Sequence, residues 1–181
     1  MFSSLCPNCG VKVTNRGYEL VVDDIPGELF ARIDRIGDYN ISSLYICSPF
    51  LAQFKDDRWL ASIATIAKKN DFHLITRPPN QWESRTAAVM PFYVKAGAKI
   101  HFVRDLHAKL YLIGAQELSF AVFGSPNFTN QASKNIEAGI FVTDEVAYEE
   151  FSQTFHELAR KNELWELDDK TGLWERVADN Y

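Results

Sequence analysis

Residues 107–137 hold polar side chains suited to catalysis, set within otherwise apolar runs. Alternation over residues 106–113 predicts a strand with His107, Lys109 and Tyr111 on one face, and side chains two positions apart lie about 7 Å from each other. An imidazole can attack as a nucleophile, and an ammonium can hold the negative charge that develops on oxygen atoms. This pattern is typical of an active site set into a sheet.

A turn follows the next apolar run along the chain. Phe120 to Phe123 predicts a strand, which should stop at Gly124-Ser125-Pro126-Asn127 because these residue types favour turns. The turn places a hydroxyl and a carboxamide at a strand end, where sites are commonly built. Glu137 then precedes a further apolar run and adds a carboxylate.

Together these residues resemble the HKD signature of the phospholipase D superfamily: His107-x-Lys109, Gly124-Ser125-x-Asn127 and Glu137. The family usually has an Asp five residues after the Lys, and here Gly114 stands at that position. The resemblance implies a phosphodiesterase in which His107 attacks phosphorus while Lys109 and Asn127 hold the charge on the phosphoryl oxygens. The mechanism that the resemblance implies requires no metal.

The resemblance also bears on the remaining site residues and on the assembly. It implies that Glu137 accepts a hydrogen bond from the other ring nitrogen of His107, fixing the tautomer, and that Ser125 binds phosphate or braces the site. When the bond from phosphorus to the leaving oxygen breaks, a second imidazole must protonate the departing alcohol. The family supplies that imidazole from a second motif or a second chain. Since this chain has one motif, we expect a homodimer whose two His107 side chains meet across a two-fold axis.

Length, composition and charge narrow the class of protein. The 181 residues are 46% hydrophobic, enough for one domain with a sizeable core. The net charge is −5, yet residues 51–112 carry ten Lys or Arg against five Asp or Glu, while residues 113–181 carry five against thirteen. The first stretch predicts a basic surface for a polyanion or, equally, ordinary solvated helix faces. No stretch approaches about 18 uninterrupted apolar residues and no leader-like segment is evident, so we expect a cytoplasmic protein that is not membrane-bound.

The N-terminal motif Cys6-Pro-Asn-Cys9-Gly10 has the form of a zinc knuckle, which turns two thiolates toward one metal. One knuckle is half of a tetrahedral site, and the third cysteine, Cys47, falls in a predicted buried strand. A structural zinc held by Cys6 and Cys9 would need further ligands, from a second chain or a histidine. The alternative is a degenerate zinc ribbon or a pair of reduced thiols.

Strands alternating with helices predict an α/β fold with a mixed β-sheet flanked by helices on both faces, phospholipase D/nuclease-like. We expect an N-terminal Cys-knuckle hairpin (1–24) before the catalytic domain (25–181). The two motif strands, with no helix between them, should pair antiparallel. The predicted strands are 11–13 with 18–22 as a hairpin, 44–47, 72–76, 100–103, 106–113, 119–124, 138–142, and a terminal hairpin of 165–167 with 173–174. One predicted helix begins at residue 26, and the others span 57–69, 81–96 and 145–161.

The resemblance favours a nucleic acid as the substrate. Short single-motif chains of this family resemble nucleases more than lipid hydrolases, so we expect an endonuclease that hydrolyses DNA or RNA through a phosphohistidine. Eight basic residues could flank the site and bind backbone phosphates: Arg58, Lys68, Lys69, Arg77, Arg85, Lys95, Lys99 and Arg104. The alternatives are a lipid hydrolase of the phospholipase D type and a dimeric nucleic-acid-binding module without activity.

Overall fold

The computed structural model describes residues 3–5, 12–14, 17–52, 57–69, 71–129, 136–168 and 170–177. Four helices are described: α1 (Ile25–Ile36), α2 (Asp57–Lys69), α3 (Ser84–Ala96) and α4 (Glu145–Ala159). The strands are β1 (Ser3–Leu5), β2 (Lys12–Thr14), β3 (Tyr18–Val22), β4 (Ile41–Cys47), β5 (Asp71–Thr76), β6 (Lys99–Phe102), β7 (Leu110–Ala115), β8 (Phe120–Gly124), β9 (Ala138–Val142), β10 (Trp165–Leu167) and β11 (Trp174–Arg176). Short 3₁₀ turns lie at Asp38–Asn40 and Pro79–Gln81.

Seven strands form one mixed sheet in the order β3-β9-β8-β7-β4-β5-β6. Strands β4, β5 and β6 run parallel, joined by α2 and α3 as crossovers, and the remaining neighbours pair antiparallel. The pairing of β7 with β8 places Leu110 opposite Phe123, as expected for two strands without a helix between them. The predicted mixed sheet is confirmed.

Helices cover both faces of this sheet, and each face has its own apolar core. Helices α1, α2 and α3 pack on one face, where their buried side chains include Phe30, Ile63 and Tyr93. Helix α4 packs on the other face through Phe155 and Ala159. Its capping residue Asp144 accepts a hydrogen bond from the backbone N–H of Ala147, as the sequence predicts.

Several predicted elements agree with the structure within a residue or two. Helix α2 and strand β9 have the predicted bounds, and the terminal hairpin forms from β10 and β11. The helix predicted over residues 81–96 is instead a 3₁₀ turn followed by α3, which begins at Ser84. Pro91 lies inside α3.

The predicted pairing of the strands at 11–13 and 18–22 is wrong. Strand β2 pairs with β1, whereas β3 joins the main sheet by pairing with β9, with Leu20 opposite Ile140. Alternation predicted a strand at Tyr18–Val22 correctly, but it does not specify the partner strand. The division between residues 24 and 25 stays a prediction, and β3 on its N-terminal side lies in the main sheet.

Candidate functional site

One end of the sheet gathers the ends of all seven strands. The chain leaves β3, β4, β5, β6 and β8 at this end, and it enters β7 and β9 there, because these two strands run opposite to the other five. We call it the site edge. All five predicted site residues lie in the segments at this edge, between β6 and β7, after β8, or before β9.

His107 and Lys109 lie just before β7, in a segment without regular structure. The predicted strand over 106–113 is therefore wrong at its start, since β7 begins at Leu110. The physical reason is the neighbouring strand: β4 pairs with β7 only up to Cys47 opposite Leu110, and beyond Cys47 the chain turns away at Ser48 and Pro49. His107 is exposed as a result, rather than held inside the sheet.

The side chains of His107 and Lys109 contact each other directly. The Lys109 Nζ lies 3.2 Å from the His107 Nδ1. Because an ammonium only donates, Nδ1 is the acceptor of this bond, and the proton of the neutral ring then lies on Nε2. The two residue types predicted to act together are thus adjacent, with the imidazole facing solvent.

Lys109 has a lowered pKa. Partial burial is the main cause, and the positive charge of Arg77 adds to it, while Glu137 and Cys47 act in the opposite direction. Beneath this segment, the Cys47 thiol is buried and donates weakly to the Ala108 carbonyl, 3.8 Å away. Burial raises the Cys47 pKa to about 12, which keeps it a neutral thiol.

Ser125 and Glu137 form a second contact pair at the site edge. The Ser125 Oγ donates to the Glu137 Oε2 and accepts from the backbone N–H of Ala138 at 3.2 Å. The Ser125 N–H donates to the Ala138 carbonyl at 3.0 Å, which ties the end of β8 to the start of β9. The expected bond from His107 to Glu137 stays a prediction.

The turn that carries Asn127 is fixed from below by two buried hydroxyls. The Tyr111 Oη donates to the Pro126 carbonyl at 2.6 Å, and the Ser48 Oγ accepts from the backbone N–H of Phe128 at 3.0 Å. Tyr111 is only 2% exposed, so it supports the turn and does not line the site. Burial raises the Tyr111 pKa well above its usual value, so the hydroxyl stays a donor. The Asn127 Oδ1 is buried and has no hydrogen-bond partner among the described residues.

Two further residues contribute to the site edge. Ser48, which the sequence did not single out, bridges the end of β4 to the Asn127 turn, and its own hydroxyl donates to the Phe50 carbonyl at 2.7 Å. Its only signal was position, since it immediately follows a buried apolar strand. Arg77, one of the eight basic residues expected to flank the site, follows β5 and donates from Nε to the Leu106 carbonyl at 2.9 Å.

A comparison with protein families identifies the domain. The family model described as "Cardiolipin synthase, PLD-like domain" matches residues 33–159, which include the whole site edge except β3. The chain belongs to this PLD-like family. The resemblance read from the HKD signature is thereby confirmed, although no curated protein gives a significant match.

Solved structures share the PLD-like fold over most of this chain. Nuc from Salmonella typhimurium, a phospholipase D family member, is 18% identical, with a TM-score of 0.60 over 80% of this chain and 96% of its own. NucT from Helicobacter pylori is 14% identical, with a TM-score of 0.59 over 80% of this chain and 98% of its own. TrmBL2, an archaeal chromatin protein, is 12% identical, with a TM-score of 0.52 over 82% of this chain and 54% of its own.

Gly114 departs from the HKD pattern for a steric reason. It is buried in β7, and a Cβ built there would overlap the Ser43 Oγ and lie 3.2 Å from the Tyr148 Oη. Tyr148 is on α4 and Ser43 on the adjacent strand β4, so both occupy the space that an aspartate would need. In this PLD-like domain a tyrosine and a serine fill that space.

The other three histidines form a separate group, the inner histidine cluster: His73, His101 and His156. The His73 Nδ1 lies 2.9 Å from the His101 Nε2, and the His73 Nε2 lies 3.1 Å from the Asp71 Oδ1. Because the carboxylate accepts the Nε2 proton of His73, the neutral ring accepts from His101 through Nδ1. With His156 and parts of α4, the rings line a cleft of about 580 Å³.

Neither a metal site nor a membrane span is found in the part of the chain that the structure covers. Within the described ranges, no three His, Cys, Asp or Glu residues are arranged to hold a metal ion. Cys6 and Cys9 lie outside the described residues, so the structural zinc stays a prediction. None of the helices described is both long and apolar enough to cross a bilayer.

Proposed function

We propose that this PLD-like domain is a metal-independent phosphodiesterase, an endonuclease that cleaves DNA or RNA through a phosphohistidine at a site shared by two copies. The observation that carries this proposal is the 3.2 Å contact between the exposed His107 and the Lys109 ammonium, beside the Ser125–Glu137 pair. These groups provide a nucleophile, a cation for the phosphoryl oxygens and a carboxylate, as phosphodiester cleavage requires.

Substrate binding has to break the hydrogen bond between Lys109 and the His107 Nδ1. With Lys109 donating to Nδ1, the His107 Nε2 carries the proton and cannot attack. The phosphate oxygens compete for the ammonium, and once Lys109 donates to them, the ring can change tautomer: Nε2 releases its proton to water, and Nδ1 takes one from water and donates a hydrogen bond to Glu137. The lone pair is then on Nε2, which faces the phosphorus. Hydrogen bonds at active sites commonly tighten or exchange in this way when substrate binds.

The reaction then needs two steps and two imidazoles. In the first, His107 Nε2 forms a bond to phosphorus, the bond to the leaving oxygen breaks, and His107 of the second copy donates its proton to that oxygen. In the second, the same partner imidazole takes a proton from water, whose oxygen displaces His107 from phosphorus. The Lys109 ammonium and the Nδ2 N–H groups of Asn127 hold the charge on the non-bridging oxygens by donating hydrogen bonds to them.

A nucleic acid substrate is supported by the excess of basic residues over 51–112 and by the likeness to TrmBL2, an archaeal chromatin protein with a novel mode of DNA binding. The test is incubation with plasmid, single-stranded DNA and RNA in excess EDTA. Cleavage is the expected result. Binding without cleavage would instead support a nucleic-acid-binding module.

The second candidate is a lipid hydrolase, and the description of the matching family, which names cardiolipin synthase, favours it. This alternative predicts hydrolysis of cardiolipin or phosphatidyl vesicles at a rate that added DNA does not change. The proposed endonuclease predicts intact vesicles and cleaved nucleic acid under the same conditions.

Sharing of the site can be tested by mixing subunits. Wild-type and His107→Ala chains are co-expressed in equal amounts with two different tags. If each site needs His107 from both copies, only wild-type pairs are active, and total activity falls to about a quarter of an all-wild-type sample. Independent sites would leave about half, and that result, or a monomer in light scattering, would contradict the shared site.

A further inference from the structure

Arg77 is held rigidly at the site edge by two contacts. Its Nε donates to the Leu106 carbonyl at 2.9 Å, one residue before His107. Its guanidinium carbon lies 4.7 Å from the centroid of the Phe50 ring, a cation–π contact. The Arg77 carbonyl in turn accepts from the Trp82 indole at 2.6 Å. The side chain is therefore preorganised instead of sampling many rotamers.

The positive charge of Arg77 is not neutralised by a nearby carboxylate. Among the described residues, its guanidinium takes part in no ion pair within 4.0 Å, in contrast to Arg32, Arg35 and Arg104. Arg77 also lies close enough to Lys109 to lower the pKa of that ammonium. Two neighbouring cations, with Glu137 as the nearby carboxylate acting against them at Lys109, favour the binding of an anion.

The strand order sets these groups in a row along the site edge. From β9 to β5 the row runs Glu137, Ser125, His107 with Lys109, Phe50 and then Arg77. Strand β5 is two places from β7 in the sheet, and neighbouring strands lie about 4.8 Å apart. The Arg77 backbone is therefore roughly 10 Å from the β7 backbone. The Arg77 side chain reaches back along this row to the Leu106 carbonyl, so its guanidinium lies beside the segment that carries His107 and Lys109. The whole row from Glu137 to Arg77 spans four strand intervals, roughly 19 Å between backbones, which is more than a single phosphate can contact.

We propose that Arg77 binds the phosphate next to the scissile one in a polynucleotide strand. The proposal rests on the proposed function, and it gives the substrate a direction: the chain lies along the site edge from Glu137 toward Arg77. A guanidinium whose Nε is committed to Leu106 still presents its Nη donors, which match the oxygens of a phosphate. Lys109 serves the scissile phosphate, and Arg77 serves its neighbour.

The test compares a substrate with many phosphates and one with a single phosphate. Arg77→Gln is expected to lower kcat/KM about tenfold on a single-stranded oligonucleotide, and to leave cleavage of bis(p-nitrophenyl) phosphate within about twofold. The slope of log KM against log salt should fall by about 0.7, the value for one phosphate contact on a single strand. Arg77→Lys keeps the charge and should keep the slope. Equal losses on both substrates would overturn the proposal.

Two controls separate this proposal from the others. Arg35→Gln removes an exposed arginine near the end of α1, away from the site edge, and should change neither substrate. Oligonucleotide binding is also measured in the His107→Ala background, where Arg77→Gln should weaken affinity about tenfold. If wild-type protein cleaves nothing but this loss of affinity remains, the proposed reaction fails and the phosphate site stands. If affinity is unchanged, the phosphate site fails.

Discussion

His107 and His73 lie on the same sheet and have hydrogen-bond partners of opposite charge. His107 is exposed at the site edge and accepts from the Lys109 ammonium. His73 is partly buried under α4 and donates to the Asp71 carboxylate, which also accepts from Tyr45 and Lys99. Substrate oxygens can replace the imidazole as the acceptor for Lys109, whereas Asp71 is already engaged by three donors. The difference separates a group that is ready for a ligand from one that is locked into a network.

The largest expected difference in activity is between variants of His107 and variants of His73 and His101. His107→Ala should lower phosphodiesterase turnover by at least about a thousandfold, because it removes both the nucleophile and the acid of a shared site. His107→Asn should accumulate neither a phosphohistidine nor a product. The control is His73→Phe/His101→Phe, which should retain turnover within about twofold at pH 7.5. Retained activity in either His107 variant would remove this residue from the role of nucleophile.

Lys109 should matter next, through the charge on the phosphoryl oxygens. Lys109→Met is expected to lower kcat by roughly a hundredfold, the usual cost of one charged donor to the transition state. A p-nitrophenyl ester has a leaving group that needs no acid. The fall of its cleavage rate at alkaline pH, the alkaline limb of the pH–rate profile, therefore reports the deprotonation of Lys109. Since the Lys109 pKa is lowered, wild-type activity should fall with rising pH before 10.5 is reached. Lys109→Arg should remove this limb, and an unchanged limb would contradict the assignment.

Asp71 should affect stability and leave the chemistry unchanged. Asp71→Asn retains the shape but replaces a charged acceptor of three hydrogen bonds with a neutral amide. We expect the free energy of unfolding to fall by about 1–2 kcal/mol in urea denaturation, with kcat at pH 7.5 unchanged. A large loss of kcat without a loss of stability would assign the inner histidine cluster to the reaction.

The smallest expected effect is a pH dependence of stability. Burial lowers the pKa of both His73 and His101. A lowered folded-state pKa means that the unfolded chain binds more protons, so stability is full above about pH 6.5 and is lost as the pH falls through that value. The groups facing this pair are Asp71, Lys99, Tyr45 and His156.

The measurement is urea denaturation of wild type and of His73→Phe/His101→Phe at pH 7.5 and 5.5. The wild type should lose stability between these two values, and the double variant should lose less, because both lowered groups are gone. Asp71 also has a lowered pKa, but its contribution is lost only below about pH 4, outside this window. Identical pH dependence in the two proteins would show that the cluster does not titrate as proposed.

The sequence predicted the fold class and most element bounds, and the failures have physical causes. Helix α2 and strand β9 follow from local periodicity, and their bounds were correct. The start of β7 was wrong because a strand needs a partner, and β4 turns away at Ser48. The pairing of β3 with β9 joins residues more than a hundred positions apart, which alternation cannot specify.

The inner histidine cluster shows the same limit more clearly. His73, His101 and His156 come from two strands and a helix, and they meet only because β5 and β6 are neighbours under α4. Nothing in their local sequence distinguishes them from isolated histidines. The HKD residues could be proposed from the sequence because their spacing along the chain is itself the signal, which long-range contacts lack.

Gly114 has a consequence for anyone who tries to graft the family's acidic residue onto this scaffold. A single substitution there would force the Ser43 hydroxyl and the Tyr148 phenol aside, since both stand where the new side chain must go. The graft therefore has to move the Ser43 hydroxyl first, and the Ser42 hydroxyl and the Tyr148 phenol, each 3.2 Å from the new Cβ, must then give way to the rest of the carboxylate side chain.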